Sequence, residues 1–77
     1  MTWNYRIMKH SHRSGDYYAI HECFMNSNGQ AHSWTEDEIT PSGETPEELI
    51  ETLEMMLKDA KTYGALDFNM EPEGKED

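Results

Sequence analysis

The chain has 77 residues and a mass of 9.0 kDa. That is one domain, hiding only about 60% of the surface its unfolded form exposes, which excludes a large enclosed active site. An apolar fraction of 35% and a mean hydropathy of -0.95 imply a thin core, while eight aromatic residues and six methionines argue against disorder throughout. Sixteen acids against six bases give a net charge of -10, which excludes the clustered cations that direct nucleic-acid binding draws on.

The charge is local. Residues 1–35 carry three bases, two acids and all four histidines, whereas residues 36–77 carry three lysines and fourteen acids. A basic partner surface would be drawn to the second half. No stretch approaches the roughly 18 apolar residues of a membrane span, and Met1-Thr2-Trp3-Asn4-Tyr5-Arg6 lacks the basic-then-apolar layout of a secretion signal. A single cysteine, Cys23, cannot form an internal disulfide, so the expected compartment is a reducing cytosol.

Trp3 to Lys9 alternates with the period of a half-buried strand, Trp3, Tyr5 and Ile7 on one side and Asn4, Arg6 and Met8 on the other. His10 to Asp16 is polar, ends in Gly-Asp and returns the chain. Tyr17 to Met25 makes a second strand. Asn28-Gly29 then predicts a two-residue type I′ turn into a third strand from Gln30 to about Glu36. That turn places Met25 opposite His32, Phe24 opposite Ser33 and Cys23 opposite Trp34. Tyr18, Ile20, Phe24 and Ala31 fall on one face with Trp3, Tyr5 and Ile7. Tyr17, Ala19, His21, Cys23, Met25, His32 and Trp34 fall on the other, beside Arg6 and Met8. Glu22 shares the parity of the first, more apolar set and fits it poorly.

Residues 36–44 contain Pro41 and Gly43 and are irregular. Thr45-Pro46-Glu47-Glu48 matches a capping box with proline at the first helical position. Leu49, Ile50, Leu53, Met56, Leu57 and Ala60 then form one apolar stripe over four turns, with acids early, Lys58 and Lys61 late, and Gly64 as the stop. Leu66, Phe68 and Met70 alternate as a brief extended segment against the sheet edge or the helix. Glu71 to Asp77 is a charged tail expected to be disordered. The expected fold is therefore α+β: a single β-β-β-α domain over residues 1–70, with a three-stranded antiparallel sheet and the helix packed on one face.

Three strands followed by a helix entered through Gly43-Glu44-Thr45-Pro46-Glu47-Glu48-Leu49 resemble the HicB-like antitoxin domain over about residues 3 to 62. The resemblance implies a helix packed on a small sheet, dimerisation, and silencing of a small basic ribonuclease toxin. In size and acidity alone the chain is also similar to small phage inhibitors such as anti-CRISPR proteins.

Motifs for chemistry are sparse. His10, His12, His21 and His32 with Cys23 could supply metal or small-ligand contacts, but no Cys-x-x-Cys or His-x-x-x-His pair fixes their geometry. Cys23 beside His21 or His32 has the residue types of a thiol nucleophile and its base, without a glycine-rich turn or helix start for an oxyanion. Glu36, Asp37 and Glu38 lack the alternation of a calcium loop, and no phosphate-cradling glycine motif is present. No enzyme activity and no cofactor are expected.

One helix covers one face of a sheet, so Met8, Tyr17, Cys23, Met25 and Trp34 are expected to face water on the other and to be covered by a second copy or a different protein. Glu47, Glu51 and Glu54 on the helix would steer the chain to a basic surface. The expectation is a non-enzymatic acidic module that neutralises or inhibits a basic protein as a homodimer or a heterocomplex, without touching nucleic acid or membrane.

Overall fold

The computed structural model describes residues 2–71. The elements run β1 (Thr2–His10), β2 (Tyr17–Met25), β3 (Ala31–Trp34), α1 (Pro46–Thr62) and β4 (Leu66–Asp67). The class is α+β. The sheet has four strands in the order β3-β2-β1-β4, with β4 parallel to β1 and the other pairings antiparallel, so the expected three-stranded antiparallel sheet gains a short parallel edge. The tail expected to be disordered lies, beyond Glu71, outside the described residues. Among the described residues no helix is long and apolar enough to cross a membrane.

The β2–β3 connection departs from the two-residue turn. Asn26 O accepts from Gly29 N and Gln30 O accepts from Asn26 N, both at 3.0 Å, closing a three-residue loop of Ser27, Asn28 and Gly29. Gly29 takes the left-handed φ of 77°, while Asn28 does not, which rules out the type I′ geometry. Asn26 Oδ1 fastens the loop by accepting from the amides of Asn28 and Gln30. The longer loop moves the pairing by one residue, so Met25 faces Ala31 rather than His32. A bulge between Phe24 and Met25 then restores Phe24 opposite Ser33 and Cys23 opposite Trp34. In consequence Ala31 crosses to the face of Cys23 and Met25, where it is buried, and His32 is exposed.

Beyond β3 the chain stays against β2: Thr35 N donates to Glu22 O at 3.0 Å and Ile39 N to Ile20 O at 2.8 Å. Gly43 then passes so close to the helix start that a Cβ there would stand 2.6 Å from Leu49 N. Thr45 is the N-cap, its Oγ1 accepting from Glu48 N at 3.1 Å, with Pro46 opening the helix as the sequence predicts. The helix ends differently from expectation. Tyr63, in extended backbone, is the C-cap and donates its N–H to Asp59 O, whereas Gly64 has no positive φ. Tyr63 is held there by the Arg6 guanidinium, 5.0 Å from its ring centre.

Both faces of the sheet are covered. The helix packs over the face bearing Tyr5, Ile7 and Ile20, and Asp59 Oδ2 accepts the Tyr5 backbone N–H at 3.0 Å. The opposite face carries the tightest core. Met8, His21 and Cys23 are 0% exposed, and Leu66, Met70 and Trp34 pack against the cluster of Cys23, Met25 and Ala31. The extended segment expected over Leu66, Phe68 and Met70 stops at Asp67: Leu66 pairs with Met8 and Phe68 N donates to Lys9 O, after which the chain turns, Met70 N donating to Asp67 O, and Phe68 and Met70 come to lie over the same face.

Candidate functional site

The structure corrects the expectation that the second sheet face is bare. Met8, Cys23 and Met25 are buried beneath the chain's own residues 66–70, and Trp34 is half-buried. Tyr17 is exposed, but its ring stacks on His10 at 4.7 Å and 5°. His10 in turn stacks on Phe68 at 4.5 Å, so an imidazole lies between two aromatic rings. The reasoning from one helix to one covered face failed because a two-residue strand and the turn after it supply what a second helix otherwise would.

Two histidines meet on this face. His10 Nε2 lies 2.9 Å from His21 Nε2, and His21 Nδ1 lies 2.9 Å from Thr35 O. A carbonyl only accepts, so Nδ1 of His21 carries the proton; in the neutral ring its Nε2 then accepts from His10 Nε2–H. These bonds engage both nitrogens of His21 and Nε2 of His10. His12 bonds Ser14 at the surface and His32 is exposed on β3, so neither joins them. Among the described residues no three of histidine, cysteine, aspartate and glutamate stand together as metal ligands. Cys23 is buried opposite Asn4 and Trp34, closed to a substrate.

The accessible apolar surface lies on the helix side instead. The apolar stripe of the helix was expected to be core, yet only part of it is. Met56 is buried and Leu49 and Ala60 are half-buried, whereas Ile50, Leu53 and Leu57 are 55%, 45% and 57% exposed. At about 100° per residue these three occupy an arc of roughly 60° beside the buried flank, forming a ridge along the helix. Across from the ridge stand Tyr18, 62% exposed, with Ile39 and Pro41 of the irregular segment. Between these residues and Leu53 and Leu57 of the ridge runs an open groove of about 430 Å³, with Met56 its most buried wall residue and Ile50 beyond its lining.

Acids rim the groove. Glu38 lines it, preceded by exposed Glu36 and Asp37. On the far flank of the ridge Glu47, Glu51 and Glu54 are exposed on α1, as the sequence predicts, and none makes an ion pair among the described residues. Lys58 and Lys61 continue the same flank towards the helix end, so this rim is acidic over its first turns and basic over its last. A strip of apolar side chains between two carboxylate rows can desolvate an apolar surface and attract cations beside it; it holds no nucleophile and base pair for covalent chemistry.

No family model, no curated protein and no solved structure matches the chain. Sequence reasoning missed Tyr18, Ile39 and the ridge as surface. The available signal was width: Leu49, Ile50, Leu53, Met56, Leu57 and Ala60 spread over roughly 120° of helix, more than a narrow sheet can cover.

Proposed function

We propose that the chain is a non-enzymatic protein-binding module that docks a basic protein and thereby blocks it. The observation that carries this role is the exposed ridge of Ile50, Leu53 and Leu57 bordered by unpaired carboxylates. An exposed apolar patch with a charged rim is the usual anatomy of an interaction surface, and a rim dominated by one sign selects the partner's charge and speeds its approach. The net charge of -10 adds a longer-range attraction. An antitoxin or a small inhibitor has this chemistry, which is how the HicB-like order of elements and the acidic composition come together in one role.

The experiment is affinity capture on the immobilised chain at about 50 mM and about 500 mM salt, where screening lengths fall from roughly 14 to 4 Å. Each retained protein is then purified and rebound alone. Basic proteins that rebind one-to-one and are released by salt are expected. Retention only of neutral or acidic proteins, indifferent to salt, would remove the role.

A further inference from the structure

We infer that the groove beside α1 is the seat of a cationic amphipathic helix, its apolar face on the Ile50, Leu53 and Leu57 ridge and its lysines or arginines on the two acidic rims. The inference rests on the acidic binding role proposed above and goes beyond it by fixing the partner's secondary structure and the surface that receives it.

The backbone decides between a helix and a strand. An extended segment would need free amides and carbonyls along the groove. On β2 the carbonyls of Glu22 and Ile20 and the amide of Glu22 are already bonded by residues 35–39, through Thr35 N to Glu22 O, Ile39 N to Ile20 O and Glu22 N to Thr35 Oγ1. Side chains, not a sheet edge, therefore form the walls, and they suit a partner that presents side chains alone. The ridge repeats at three and four residues over about 10 Å, and Pro46 extends it to about 16 Å, or three helical turns. A partner helix with apolar residues at the same spacing meets it ridge to groove.

Charge decides between a basic partner and a second copy. Glu38 lines one side, with exposed Glu36 and Asp37 before it in the chain, and Glu47, Glu51 and Glu54 stand on the other, ahead of Lys58 and Lys61 on the same flank; among the described residues none of these six acids makes an ion pair. A second copy would bring a net charge of -10 to a chain of the same charge, its Lys58 and Lys61 notwithstanding. A helix with cations flanking its apolar stripe neutralises both rows at once.

The probe is an 18-residue peptide of leucine and lysine patterned for an amphipathic helix, with a scrambled peptide of identical composition as its control. Binding to the full chain is read by fluorescence anisotropy, and circular dichroism verifies that each variant is folded. The patterned peptide is expected to bind at least about tenfold more tightly than the scrambled one, and Leu53→Ser with Leu57→Ser should erase that difference, since two exposed leucines are worth about that factor. Replacing Glu47, Glu51 and Glu54 by glutamine should weaken the patterned peptide about fivefold at low salt and little at high salt. Equal binding of both peptides, or a Leu53→Ser, Leu57→Ser chain that binds as wild type, overturns the helix seat while sparing the acidic role. Failure of both peptides to bind at low salt overturns both. A dimer in sedimentation that the two serines dissociate makes a second copy the occupant and overturns the inference.

Discussion

The Asp59 carboxylate accepts the backbone N–H of Tyr5 at 3.0 Å, on the stretch of β1 that lies before its pairing with β4 at Met8 and Lys9. A helix side chain thus stands in for a missing strand partner. Asp59→Ala should cost about 1–3 kcal/mol by stranding that amide, and Asp59→Asn, which keeps an acceptor oxygen, distinctly less; urea unfolding of the two variants measures both, and equal midpoints would deny the bond its role. Tyr5 itself is buried, and that burial, reinforced by Glu22 and Asp59, holds its hydroxyl above the ordinary value of 10.0. Above pH 10 the unfolded chain therefore releases a proton that the folded chain keeps, so stability falls as pH rises from there. Unfolding midpoints between pH 8 and 11 should decline less steeply for Tyr5→Phe than for wild type; parallel declines would mean that Tyr5 does not contribute. Neither contact is visible in the sequence, because Tyr5 and Asp59 are 54 residues apart and no periodicity joins them.

The element that alters the molecule most is the short one. Phe68 stacks on His10 and touches His21, while Leu66 and Met70 close over Cys23, Met25 and Ala31. Phe68→Ala should cost about 2–4 kcal/mol, somewhat less than a fully enclosed phenylalanine because Phe68 is half-buried. In a domain of this size that is much of the total. Denaturant titration and binding of a hydrophobic dye read the loss and the uncovered face together; an unchanged midpoint would show the segment to be ornamental. The strands, the cap at Thr45 and the apolar alternation of Leu66, Phe68 and Met70 were legible in local spacing, although the chain is extended only over Leu66 and Asp67 and turns after them. Which face that alternation covers was not, since it depends on a register with Met8 fifty-eight residues away. Likewise the hairpin signal at Asn28-Gly29 located the turn but not its length, which Asn26 decides by bonding two amides at once.

For the molecule as a whole, the two halves divide the work. Residues 1–35 hold the histidines and most of the buried side chains, while residues 36–77 hold most of the acids and the ridge. A sequence with one apolar stripe and one alternating hairpin can be assembled with either sheet face inward, and composition alone does not choose between them. Here the choice turned on the last described strand. That order has a kinetic side. The β1–β2–β3 unit pairs neighbours in sequence and can assemble early, whereas β4 must close a loop of nearly sixty residues to reach Met8. During synthesis the greasy back of Met8, Cys23 and Met25 thus stays naked until residues 66–70 have left the ribosome, and it is there, rather than at the mature surface, that a nascent molecule is most prone to stick to its neighbours.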